Sequence, residues 1–249
     1  MSIKYGESVM KKLYVCDFDG TIYKENEKRH FDAVLKEFSR LRSEGDEVVV
    51  ATGRPLHLLE PFFEDFENTF FISNDGALFS KGFEIILENP IDKEKLKKKT
   101  EKTKNSFVAY GESITYARYS EKSLGMNLNR FYRGHVVRVC EVDEISENIY
   151  KVGFFGTEEC DFLEKCWSSY GVSEYTAKGV SKGECLKKVM DLFGFSAENT
   201  VVAGDGVNDI SMMKLAGKSY AMVDASPVVK ASADQVVSDI LNVLRGDLI

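Results

Sequence analysis

The chain has 249 residues, 43% of them hydrophobic and 29% charged, with a formal net charge of −7. That is enough polymer for one large domain or a core with a smaller second domain, and the composition is that of a globular protein. The acidic balance argues against nucleic acid as the main partner, and the absence of any long apolar run argues against a membrane one.

Residues 1–9 read as an extension ahead of the first strand. The apolar run 13–16 predicts a short buried strand that Gly20 ends, so Asp17 and Asp19 stand where the strand gives way to a loop. In open α/β sheets that is where ligands bind. Phe31, Val34, Leu35, Phe38 and Leu41 share one helical stripe, with Gly45 as its C-terminal cap. A second strand, 47–51, runs into Thr52-Gly53-Arg54-Pro55, with Pro55 suited to the first position of a helix over 55–66. Thr52 reads either as a helix N-cap or as a hydroxyl offered to an anion. Strand 69–73 is followed by Asn74-Asp75-Gly76, a turn signal that predicts a hairpin with Leu78-Phe79.

From Asn89-Pro90 the texture changes. A lysine-rich helix over 91–105, its run 93–104 a solvated face, precedes alternating aromatic runs at 106–110, 114–120, 135–140 and 150–155. A helix over 158–169 and a strand over 172–176 complete this α+β segment. Then Ser181-Lys182-Gly183-Glu184 forms a capping box, with Leu186, Val189, Met190 and Phe193 at helical spacing. Lys182 falls in the first turn, where the helix dipole disfavours a cation unless an anion lies in front of it. Strand 200–204 ends in Gly204-Asp205-Gly206, whose glycines let the backbone approach a ligand. Helix 208–215, strand 218–223 and helix 226–232 follow. The repeated strand–helix–strand order predicts an α/β fold: a Rossmann-like, mostly parallel sheet, covered on both faces, with an inserted α+β domain.

Cys16, Cys140, Cys160, Cys166 and Cys185 are odd in number without C-x-x-C spacing, so neither a disulfide framework nor a zinc site is expected. Cys16 alternates away from Asp17 and belongs to the core. His30, His57 and His135 form no metal-binding pair. No G-x-x-x-x-G-K-[ST] loop is present, and Gly204-x-Gly206 lacks the third glycine of a dinucleotide fingerprint. With no signal peptide apparent, the expected location is the cytoplasm.

Asp17-x-Asp19-Gly20-Thr21, Thr52-Gly53-Arg54, Lys182 and Gly204-Asp205-Gly206-x-Asn208-Asp209 together resemble, in order, the four motifs of the haloacid dehalogenase superfamily. The stretch Gly179-Val180-Ser181-Lys182-Gly183 and the tail Met212-Met213-Lys214-Leu215-Ala216-Gly217 resemble its Cof-type sugar-phosphatase branch. One departure is that Asp75-Gly76-Ala77 follows Asn74 where the branch carries Asn-Gly-Ala. An aspartate near the site would add negative charge beside a phosphate.

The resemblance implies a catalytic core of residues 10–88 and 179–249 and an inserted substrate-specificity cap of residues 89–178. It implies a Mg²⁺-dependent phosphatase acting on small phosphorylated metabolites, sugar phosphates first, through a phosphoaspartyl intermediate. Asp17 would be the nucleophile and Asp19 the acid and base; Thr52 and Lys182 would hold the phosphoryl oxygens. Asp17, Asp205, the backbone carbonyl of Asp19, and Asp209 directly or through water would serve the metal. Gly53 would support the loop, Asn208 would orient either the metal carboxylates or Lys182, and Arg54 stays outside the catalytic set. Arg118, Arg130, Tyr132 and Arg133 are candidates for the leaving group. Alternative readings are a phosphomutase or phosphotransferase of the same superfamily, and a non-catalytic phosphometabolite-binding module.

Overall fold

The structure, a computed structural model, describes residues 11–103, 106–118, 136–139, 141–155, 160–169 and 171–247. Five strands come first: β1 (Leu13–Asp17), β2 (Glu47–Ala51), β3 (Phe70–Ser73), β4 (Leu78–Lys81) and β5 (Glu84–Glu88). The inserted segment supplies β6 (Phe107–Tyr110), β7 (Thr115–Arg118), β8 (Val136–Arg138), β9 (Lys151–Phe155), β10 (Leu163–Ser169) and β11 (Val172–Ala177). The chain then returns with β12 (Thr200–Gly204), β13 (Lys218–Met222) and β14 (Gln235–Val237). The helices are α1 (Lys28–Ser43), α2 (Lys93–Thr103), α3 (Lys182–Phe193), α4 (Ile210–Met213), α5 (Pro227–Lys230) and α6 (Ile240–Arg245).

The first sheet runs β14-β13-β12-β1-β2-β3-β4-β5, parallel from β14 to β3 and antiparallel over its last two pairs. All five residues of β1 are buried, as a central parallel strand covered on both faces requires. Their side chains alternate between two cores. Tyr14 and Cys16 pack with Val34, Phe38 and Leu41 of α1, whereas Leu13 and Val15 pack with Leu186 and Val189 of α3. Register sets the site: Asp17 pairs with Ala51 of β2, and Cys16 with Ala203 of β12, so Asp17, Thr52 and Asp205 emerge side by side.

The second sheet, β10-β11-β9-β6-β7-β8, is antiparallel except for its β7–β8 pair and packs its own core around Phe107, Val152, Phe154 and Leu163. On α2, Lys95, Lys98 and Lys102 are exposed and Lys93, Lys97 and Lys99 half-buried, while Leu96 and Thr100 face inward.

Two elements differ from expectation. Residues 55–66 form 3₁₀ turns, Leu56–Leu58 and Glu60–Phe62, instead of a helix. Pro61 removes an N–H from the middle of that stretch and blocks the turn before it. The expected helix over 158–169 is instead strand β10, paired with β11. Its register shifts between Lys165 and Trp167, a bulge around Cys166 that breaks the two-residue alternation and gives the apolar residues helix-like spacing. Helices 208–215 and 226–232 shorten to α4 and α5, and β14 and α6 add to the expected elements, α6 burying Ile240, Leu241, Val243 and Leu244.

Candidate active site

Asp17 closes β1, and Asp205 follows the last residue of β12. The carboxylates of Asp17, Asp205 and Asp209 each bring an oxygen within 4.8 Å of the others. Asp209 is aimed by backbone: its Oδ2 accepts the N–H groups of Asp205 at 3.1 Å and Gly206 at 2.9 Å. Asp205 accepts the Thr21 hydroxyl at 3.1 Å. Gly20, at φ +86°, passes so close to Asp205 that any Cβ there would run into the carboxylate.

Lys182 reaches this cluster from the first turn of α3. Ser181 caps that helix by accepting the Glu184 N–H at 3.2 Å, which fixes where the turn begins. The Lys182 ammonium, wholly buried, donates to Asp17 Oδ1 at 2.6 Å and Asp209 Oδ1 at 2.7 Å. These carboxylates supply the anions that a cation at a helix N-terminus needs. Burial works against the Lys182 charge, but Asp17 and Asp209 outweigh it and hold the ammonium above its ordinary range. Asp17 is raised as well, which for a carboxyl favours the neutral form. Burial and then the neighbouring Asp209 push its carboxyl well above the usual value, against the pull of Lys182. Burial and Asp209 raise Asp205 too.

Three carboxylates against one ammonium leave two negative charges uncompensated within the cluster. An oxygen-only donor set with that surplus fits a hard divalent cation such as Mg²⁺.

The Asp19 side chain stands apart from this cluster. Arg54 Nε and Nη2 donate to its two oxygens at 2.7 and 2.6 Å, and the guanidinium also lies over the rings of Phe18 and Phe62. Arg54 therefore belongs to the site, although the sequence reading placed it outside. The signal was present: Arg54 lies just past the tip of β2, the strand beside β1. Thr52 is buried at the same tip, its Oγ1 accepting the Arg54 N–H at 3.0 Å, with Gly53 lining the cleft beside it. The Asn208 amide donates to Asp75 at 2.7 Å, so its bond runs neither to Lys182 nor to the acidic cluster.

Asp75 lies at the site, at φ +56° in the β3–β4 turn. Its charge is compensated. Burial alone would raise its carboxyl, but Lys151, Lys182 and Asn208 bring it below the ordinary value.

A cleft of about 1100 Å³ separates these strand tips from the second sheet, which contributes Tyr110, Lys151 and Glu174 to its lining. Arg118 lies outside that lining. It donates to Glu141 at 3.2 Å and to the Thr100 carbonyl at 2.8 Å, and covers the Phe107 ring. The other leaving-group candidates, Arg130, Tyr132 and Arg133, fall outside the described residues.

Asp17 and Asp205 stand at adjoining parallel strand tips, and buried Lys182 joins Asp17 to a third carboxylate, Asp209, an α/β arrangement suited to phosphoryl transfer. The family model for haloacid dehalogenase-like hydrolases matches residues 14–241, and the chain belongs to that family. It is 26% identical over 237 residues to the 5-amino-6-(5-phospho-D-ribitylamino)uracil phosphatase YcsE of Bacillus subtilis (strain 168), spanning 92% of this chain and 91% of the relative. It is 24% identical over 255 residues to the pyridoxal phosphate phosphatase YbhA of Escherichia coli (strain K12), spanning 92% and 93%. Among solved structures, a haloacid dehalogenase-like hydrolase from Bacteroides thetaiotaomicron superposes with a TM-score of 0.80 at 21% identity, over 96% of this chain and 100% of the other. A subclass IIB sugar phosphatase of the superfamily superposes with a TM-score of 0.73 at 24% identity, over 95% of each chain. These two likenesses speak for the fold.

Proposed function

We propose that the protein is a Mg²⁺-dependent phosphatase of small phosphorylated metabolites, working in the cytoplasm through a phosphoaspartyl intermediate. The observation that carries this reading is the convergence of Asp17, Asp205 and Asp209 on one point, with Lys182 as their sole buried ammonium partner among the described residues. Residues 10–88 and 179–249 form the catalytic core, and residues 89–178 form a cap over the cleft.

Mg²⁺, when bound, would supply the charge that lets a carboxylate approach a phosphate dianion; Asp17, Asp205, Asp209 and the backbone carbonyl of Asp19 are the groups to hold it. An oxygen of Asp17 attacks phosphorus as the phosphorus–oxygen bond of the ester breaks, and Asp19 gives its proton to the departing alkoxide. In the second step Asp19 takes a proton from water, whose oxygen attacks phosphorus and frees the Asp17 carboxylate with inorganic phosphate. Lys182, whose third N–H reaches the Ala51 carbonyl only at 3.5 Å, and the Thr52 hydroxyl hold phosphoryl oxygens as charge redistributes. Thr52 is suited to this because its oxygen already accepts the Arg54 N–H, leaving its own proton to donate.

The substrate class is a small phosphate monoester whose leaving group meets the cap. Sugar phosphates come first, with flavin and pyridoxal phosphates next; the name of the relative YbhA, a pyridoxal phosphate phosphatase, supports the last of these. The test is phosphate release across a metabolite panel with and without Mg²⁺, alongside Asp17→Asn. Release that requires Mg²⁺ and disappears in the variant is expected; full turnover by the variant would remove Asp17 as the nucleophile.

A further inference from the structure

Lys151 opens β9 on the cap side of the cleft and is buried there. Its ammonium donates to the Gly53 carbonyl at 2.6 Å and also contacts Asp75 Oδ2 at 3.2 Å and Glu174 Oε2 at 2.6 Å. An ammonium has three N–H bonds, and three acceptors take them, so none remains for a phosphate. The Tyr110 hydroxyl completes the arrangement by donating to the other oxygen of Glu174 at 2.5 Å, with its ring beside the ammonium. Burial by itself would disfavour the Lys151 charge; Glu174 and Asp75 reverse that and hold it protonated.

Two of the acceptors, Gly53 and Asp75, belong to the core, while Glu174 belongs to the cap. The core pair sits at a sensitive place. The peptide joining Gly53 to Arg54 is held at both ends, its carbonyl by Lys151 and its N–H by the Thr52 hydroxyl. Its orientation fixes which way Thr52 faces and where the Arg54 side chain starts out toward Asp19. Asp75 braces the same loop from behind: its N–H donates to the Thr52 carbonyl at 3.1 Å, and its side chain accepts Asn208.

We infer that Lys151 is a positioning residue of the cap, which sets the Thr52–Arg54 loop by gripping the Gly53 carbonyl and Asp75, so that the phosphate-facing groups are aligned only when the cap is docked. This rests on the phosphatase reading for its effect on turnover, but not for its effect on the loop. It also accounts for Asp75 as the core's counter-charge to a cap lysine.

The test compares the wild-type chain with Lys151→Met and Asp75→Asn. The readouts are kcat and KM with p-nitrophenyl phosphate and hydrogen exchange at the Arg54 amide. For Lys151→Met, kcat should fall on the order of 10²-fold while KM stays within about threefold, since a displaced loop costs alignment more than binding. The Arg54 amide should exchange at least ~10-fold faster as its hydrogen bond to Thr52 loosens. Asp75→Asn, which keeps the side chain's shape, should move both readouts the same way by a smaller factor, and it decides the matter if Lys151→Met does not fold. An unchanged Arg54 amide in a folded Lys151→Met chain would overturn the inference. So would a raised KM at constant kcat, which would make Lys151 a substrate ligand. If the wild-type chain releases no phosphate from any substrate, the phosphatase reading fails, and the amide exchange alone still decides the role of Lys151.

Discussion

Arg54 and Asp19 meet as a fork against a fork: two guanidinium nitrogens lie 2.6 and 2.7 Å from the two oxygens of one carboxylate. Such a pair fixes the orientation of Asp19, and a lysine could not reproduce it. It holds Asp19 away from the buried cluster, the separation that the proposed roles of Asp17 and Asp19 require.

Replacing Arg54 should therefore disturb proton transfer more than phosphoryl capture. We expect Arg54→Met to lower kcat on an alkyl phosphate by roughly 10- to 100-fold, a part of the ~10²–10⁴-fold that a positioned acid–base group supplies. The loss on p-nitrophenyl phosphate, whose leaving group needs little protonation, should be smaller. Steady-state kinetics with both substrates checks this; equal losses would show that Arg54 does not act through Asp19.

The surplus negative charge of the acidic cluster should make stability depend on Mg²⁺. At a Mg²⁺ concentration about 100 times its Kd, binding adds ~2.7 kcal/mol, raising Tm by about 5–11 °C for a chain of this size. Asp205→Asn should abolish that shift. Without Mg²⁺ it should melt no lower than the wild type, because burial and repulsion by Asp209 already make the Asp205 charge unfavourable. Thermal melts with Mg²⁺ and with a chelator measure both effects.

Gly20 is the one position in the Asp17–Thr21 loop where a methyl group has no room. Gly20→Ala combines a left-handed backbone with a Cβ driven into Asp205. We expect a loss of at least ~1 kcal/mol from the backbone alone, together with weakened Mg²⁺ response. Denaturant unfolding separates it from Gly194→Ala, which is also left-handed but meets no neighbouring atom at its Cβ.

A pH effect on stability should arise far from the cleft. Asp239 caps α6 by accepting the Leu241 N–H at 2.8 Å and also bonds His30 Nε2 at 2.8 Å. Partial burial opposes its charge, but the His30 and Leu241 bonds outweigh it and bring the carboxyl below its ordinary value. A depressed carboxyl stabilises the fold above its unfolded pKa of ~3.9, and that stabilisation disappears as pH falls through the folded value. Asp239→Ala should cost about 1 kcal/mol at neutral pH, with the gap to wild type closing below ~pH 3.9. Unfolding titrations at pH 7 and pH 3 test the sign.

The parallel sheet was legible because its central strands are continuous apolar runs that end in Asp, Thr or Gly. Asp17, Thr52 and Asp205 could be placed at adjoining tips for the same reason. The hairpin at Asn74-Asp75-Gly76 also formed as its turn residues predict. Strand β10 was hidden because a bulge at Cys166 shifts the phase of its side chains, and the pattern of Leu163, Cys166 and Trp167 imitates a helix. The Arg54–Asp19 and Lys151–Asp75 pairs were hidden for a different cause. Each joins residues at least 35 positions apart, and no local periodicity encodes a partner across that separation.

The neighbour relation of β1 and β12 also bears on how the polypeptide is made. Strand β1 leaves the ribosome well before its partner on one side, β12, which emerges only after the intervening segment has been translated. At ~5–20 residues per second, roughly 180 intervening positions take on the order of 10–40 s. For that interval the hydrophobic edge at Leu13–Asp17 stays open to aberrant pairing, and nascent chains lack the residues that complete the acidic cluster.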